Sequence, residues 1–311
     1  MSDKAKRIPE IDYLKCVCIV LMVIFHLAYY ADKHLMAKQF VYTFHMPAFL
    51  LISGYLARGG KTWKQFASYI RWLIVPYAVM ESGYVVMASL LPIRDHIDCL
   101  TPVVFLDKLI LHPTGPYWFI HTLIILSVIR HVIPYVFKGK TETVIAMAVA
   151  CAIMAHHDIG LLSFANAVYY IAGVALRISG VRLIDIFSSR TALPLLPLIL
   201  LCMDSDNLDR GTLGGMAITY LVMSLLLYIY KYTGAHRSMI FIGQHTLIIL
   251  LFSPIFTLLA KSLIPIFSFD PTANLFMIVA TTFVIMGSFG VAKLLDMLRI
   301  TPFLLGKDKA L

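Results

Sequence analysis

The sequence predicts an all-α, polytopic integral membrane protein of about ten transmembrane helices around a central cavity, and three observations carry that reading. Of its 311 residues, 60% are hydrophobic and only 14% charged, where soluble domains carry roughly a quarter. The mean hydropathy is +0.84. Apolar runs of about 20 residues, the length that spans a hydrocarbon core, recur from the first segment to the last.

The runs place spans at 11–30, 39–57, 69–91, 117–136, 142–156, 161–178, 192–203, 212–231, 239–260 and 273–298, one transmembrane domain over 1–311. Residues 1–10 and 300–311 are a short lead-in and a short tail. Asp12 and Lys15 interrupt the first run and no small-residue cleavage site follows, which argues against a signal peptide. On these spans 18 of the 26 Lys and Arg residues fall on the side of both termini and six on the other. The positive-inside rule makes the first side cytoplasmic, so the expected location is a cell membrane with both ends inside. That distribution accounts for the net charge of +9 without nucleic acid. The five cysteines (16, 18, 99, 151 and 202) show neither disulfide nor metal spacing.

The first span, Ile11 to His26 and beyond, holds two ionisable side chains on one face. Lys15 and His26 are eleven residues apart, almost three whole turns, so they lie about 16 Å apart along the axis. Intramembrane charge on one face marks a lined cavity. Asp12, at i,i+3, is placed to pair with Lys15; the plainer reading is that Lys15 snorkels to the headgroups. In the second span Pro47 frees a carbonyl one turn earlier, His45 sits at a depth similar to His26, and Ser53 and Gly54 permit close helix approach. A basic loop with Arg58, Lys61 and Lys64, followed by Arg71, suits either positive-inside charge or a phosphate cradle. Tyr77 follows, and Glu81 falls mid-span, where a carboxylate is seldom idle.

Residues 92–116 read as the longest outer loop, carrying Arg94, Asp95, His96, Asp98 and Asp107. At the start of the fourth span Trp118 is either a belt anchor or a site residue, and His121 is the stronger site candidate. His156, His157 and Asp158 share a short turn, but adjacent histidines face different ways on a helix, so no metal is expected. Lys293 and Asp296, three apart, are placed to pair.

In order along the chain, Asp12-x2-Lys15-x10-His26, Phe44-His-Met-Pro-Ala-Phe-Leu-Leu-Ile-Ser-Gly-Tyr55, Arg71-x4-Pro76-Tyr77, Tyr117-Trp-Phe and Ile242-Gly-Gln-His-Thr-Leu247 resemble the motifs of membrane acyltransferase family 3, most closely its fucose 4-O-acetylase-like branch. Lys15 stands where the first motif usually has arginine, and Ser253 where a ninth-helix histidine is often found. The resemblance implies O-acyl transfer, usually of acetyl, from cytoplasmic acyl-coenzyme A (acetyl-CoA) to a hydroxyl of an extracytoplasmic or lipid-linked glycan. For such a reaction His26 is expected to be the base or acyl carrier, and Glu81, His45 or His121 to orient it or stabilise the oxyanion. Lys15, Arg71, Lys61, Lys64 and Arg58 would hold the donor, with Asp12, Ser53, Tyr77 and Trp118 as orienting residues. The expected partners are acyl-CoA, the glycan acceptor and membrane lipid, with self-association compatible and no nucleic acid. Two other classes fit less well: a proton-coupled transporter or exporter, which should show internal symmetry that the sequence lacks, and a non-catalytic receptor.

Overall fold

A computed structural model describes residues 7–57, 59–91, 93, 95–156, 160–189 and 191–311. Lys4, Lys6, Arg58, Arg94, His157, Asp158 and Arg190 lie outside the described residues. The elements, in order, are α1 (Pro9–His26), α2 (Ala28–Ala31), α3 (Leu35–Leu56), α4 (Trp63–Leu90), α5 (Pro102–Ile110), α6 (Trp118–Val136), α7 (Lys140–Met154), α8 (Phe164–Ser179), α9 (Leu183–Ile186), α10 (Leu195–Cys202), α11 (Leu213–Thr233), α12 (Arg237–Gln244), α13 (Thr246–Leu259), α14 (Asn274–Met297) and α15 (Thr301–Leu305). No strand occurs among the described residues.

Every sequence span coincides with a helix, yet they are not equal. Among the described residues, six segments are long and apolar enough to cross a bilayer: Leu35–Leu56, Trp63–Leu90, Gly115–Val136, Leu213–Thr233, Thr246–Phe267 and Asn274–Met297. The protein is therefore an all-α, multi-pass membrane protein. The count of ten does not follow. The eight residues of α10 rise only about 12 Å, well short of a bilayer core.

α1 is the hub. Its Ile11, Leu14, Cys18, Ile19, Met22 and Val23 are buried on several faces, because α3, α11, α12, α13 and α14 all pack against it. Small residues set the closest crossings. A methyl at Gly54 would stand 2.0 Å from the Tyr170 carbonyl, and one at Gly173 would stand 2.0 Å from that of Leu51, so α3 and α8 meet backbone to backbone. Gly243 likewise lets α12 lie on the Asp12 carbonyl of α1. Gly54 thus does what its place in the sequence suggests.

The carbonyl that Pro47 releases is that of Thr43. Thr219 Oγ1 of α11 lies 3.4 Å from it, its nearer partner being the Gly215 carbonyl at 2.9 Å.

Local capping revises several boundaries. α4 starts at Trp63, six residues before the predicted span, because Thr62 and Gln65 form a capping box. The outer segment 92–116 is not all loop. Thr101 caps α5 by accepting from the Val104 N–H, and Pro102 occupies its first turn. The predicted span 11–30 breaks at Leu27, so His26 is the last residue of α1 rather than a mid-helix group. The predicted span 239–260 breaks at His245, whose Nδ1–H donates to the Phe241 carbonyl. The expected Lys293–Asp296 pair does not form. Asp296 accepts instead from Thr301 Oγ1 and from the backbone N–H groups of Ala310 and Leu311, tying the last residues to α14.

Candidate active site

The chain reverses between α1 and α3, which brings the end of the first helix beside the opening half of the second. His26 and His45 both lie beside the Tyr42 ring, at centroid distances of 5.9 and 5.3 Å. The same device orients both imidazoles. Each Nδ1–H donates 2.7 Å to the carbonyl one turn back, Met22 for His26 and Val41 for His45. A carbonyl can only accept, so in the neutral rings Nε2 is the basic nitrogen. His45 Nε2 is buried without a protein partner.

Two cavities meet at His26. A small one of about 90 Å³ is lined by Met22, His26, Tyr42, His45, Met46, Pro116, Trp118, Arg210 and Leu250. A larger one of about 380 Å³ is lined by His26, Tyr29, Lys38, Tyr42, Tyr84, Asp95, Ser253 and Lys261 among others. His26 itself is exposed, which here means that its ring faces these spaces. Trp118, read from sequence as an anchor or a site residue, lies against the guanidinium of Arg210, 5.6 Å from its ring centroid.

Glu81, Tyr77 and His121 are brought together elsewhere. Glu81 has no exposed surface, and its Oε1 accepts from the Thr114 N–H (2.7 Å) and hydroxyl (3.0 Å). Glu81 Oε2 has no partner. The Tyr77 hydroxyl donates to the Leu109 carbonyl (2.7 Å), and His121 Nε2–H to that of Ile110 (2.8 Å). All three fasten the end of α5 and the turn that follows it. That turn presents Gly115 and Pro116. Gly115 has φ +58° against the Tyr84 ring, where a side chain would be both strained and blocked. Pro116 then walls both cavities at His26.

At the far end of α3, fifteen residues and about 22 Å from Tyr42 along the helix, a third cavity of about 400 Å³ is walled by Ala57, Gly59, Gly60 and Thr62. Its wall includes Lys61, Tyr69, Arg130, His131 and Tyr135, and an adjoining space reaches Ser53. Lys61 Nζ sits 3.5 Å over the Tyr69 ring. Arg130 Nε and His131 Nε2 are buried without partners, and Gly59 packs against the Arg130 guanidinium. The His131 ring stacks on Phe66 at 3.9 Å.

Of the basic residues read as donor-binding, Lys61 lines this cavity. Lys64 and Arg71 are exposed and outside its lining, with Arg71 over the Trp72 ring. Lys15 pairs with Asp12 at 2.7 Å, as the spacing suggests, and Asp12 also lies 3.4 Å from Gln244 of α12. Arg130, His131 and Arg210 are absent from the sequence reading of the site. Nothing local distinguishes them from ordinary interfacial residues.

The model of a family described as an acyltransferase domain matches residues 8–292. No curated protein and no solved structure matches the chain.

Proposed function

Because the chain belongs to acyltransferase family 3, an acyl-transferring membrane family, we propose that it is an O-acyltransferase that moves acetyl from acyl-coenzyme A to a glycan hydroxyl presented at the larger cavity. The observation that carries this reading is the place of His26. It stands at the end of α1 and lines both the larger cavity and the small pocket, with its tautomer set by Met22. An acceptor hydroxyl in the larger cavity can give its proton to Nε2 as it attacks an acyl carbonyl in the pocket.

The donor enters from the opposite, cytoplasmic side. Lys61 and Arg130 supply charge for phosphates, and the rings of Phe66, His131 and Tyr135 supply faces for a base, which supports seating the nucleotide in the 400 Å³ cavity. The pantetheine arm is comparable in length to the distance of about 16 Å between Lys15 and His26 along α1. Lys15, neutralised by Asp12, helps dock α1 on α12. His45 serves beside His26. Glu81, His121 and Tyr77 act at one remove, by holding the turn that carries Pro116. Both termini lie on the donor side, with membrane lipid around the bundle.

Purified protein incubated with radiolabelled acetyl-CoA should release free CoA or acquire label, and H26A should lower that turnover by about 10²–10⁴-fold without lowering its melting temperature. Turnover of H26A close to wild type would remove His26 from the chemistry.

A further inference from the structure

We propose that Arg210 is a catalytic residue of this reaction, its guanidinium donating to the oxyanion that forms when the acyl carbonyl is attacked beside His26. The assignment rests on the acyl-transfer reading above. Arg210 lies far along the chain, between a single 3₁₀ turn (Ser205–Leu208) and α11, yet it lines the same 90 Å³ pocket as His26 and His45.

Its position is built. The Tyr169 hydroxyl donates to the Arg210 carbonyl at 2.7 Å, and Thr212 Oγ1 donates to that of Asp209 while capping α11 through Gly215 N–H. A methyl on Gly215 would stand 1.9 Å from the Asp209 carbonyl and 3.0 Å from Arg210 Cα, so only glycine lets this turn sit down on the helix. The guanidinium then lies against Trp118 on the pocket wall. The adjacent carboxylate is turned to its own loop, where Asp209 Oδ1 accepts from the Gly211 N–H at 2.7 Å. Among the described residues Arg210 has no carboxylate ion-pair partner. A cation held in a small pocket, with its partner left open, is suited to charge that appears only during the reaction.

The step balances. The acceptor oxygen bonds to the acyl carbon as its proton passes to His26 Nε2, and the carbonyl π pair moves onto oxygen, where Arg210 N–H groups bind it. Collapse restores the C=O bond and expels the CoA sulfur, which takes the proton from His26.

The test is turnover of radiolabelled acetyl-CoA by the purified full chain, comparing wild type, R210Q, R210K and H26A. R210Q should lose about 10²–10³-fold in kcat. Its KM for acetyl-CoA should stay within about threefold of wild type, since the donor's nucleotide binds elsewhere, and R210K should recover part of the lost rate. An R210Q rate within about threefold of wild type overturns the assignment. So does a loss that R210K shares in full together with a lowered melting temperature, which is what a mere loop support would give. A wild-type protein that neither releases CoA nor takes up label removes the acyl-transfer reading itself, and the assignment goes with it.

Discussion

The corner holding His26 and His45 and the cluster holding Glu81 and His121 both place ionisable side chains within the bundle, but their surroundings are opposite. At the corner, each imidazole spends Nδ1 on its own helix, and both rings line the pocket that also holds Arg210. In the cluster, Glu81 and His121 spend hydrogen bonds on backbone and side-chain groups of the turn after α5. A buried polar group that fastens a chain segment and one that faces a cavity answer the same solvation cost in different ways. The difference teaches that depth in the membrane marks a residue as constrained, while the direction of its partners says for what.

Glu81 offers the strongest way to break that contrast. E81A leaves the Thr114 N–H without its buried acceptor, which should cost about 1–3 kcal/mol and loosen the turn that carries Pro116. E81Q keeps an acceptor oxygen and should stay within about threefold of wild type in acyl-CoA turnover. Thermal unfolding in detergent beside turnover separates the two variants. An E81Q protein with wild-type stability and a rate lost by orders of magnitude would move Glu81 into the chemistry.

Tyr77 sharpens the contrast at smaller scale. Y77F deletes the hydrogen bond to the Leu109 carbonyl and should cost about 1 kcal/mol in unfolding, with turnover nearly unchanged. A rate loss in Y77F larger than its loss of stability would count against a fastening role.

The smallest effect is expected at Asp270, in the turn before α14. The Thr272 hydroxyl, and then the Leu275 and other backbone N–H groups, hold this carboxyl below the usual aspartate value. A depressed folded-state value contributes stability above the unfolded value, and that contribution fades as pH falls through the folded one, so the window lies below about pH 4. Melting temperatures of wild type and D270N between about pH 3 and 6 should show a slight acid-side loss that D270N lacks. Both should turn over acyl-CoA equally.

Much of this organisation is legible in the residues. The all-α membrane class follows from the apolar runs, the Asp12–Lys15 pair from i,i+3 spacing, and the close approach at Gly54 from its missing side chain. Boundaries are less so. The capping box at Thr62 and Gln65 outweighed the hydropathy that starts a span at 69, and Leu27 and His245 broke runs that hydropathy reads as continuous. Hydropathy averages over a window, whereas a cap acts through one hydrogen bond.

Membrane class, family motifs and the shared face of Lys15 and His26 are local properties, set by composition and by rotation per residue, so they can be read from the chain alone. Which histidine faces a cavity, that Glu81 serves a turn, and that Arg210 and Arg130 join sites remote from them in the chain depend on contacts across long sequence separations. Those contacts exist only once the helices pack, and for that reason the fold alone decided them.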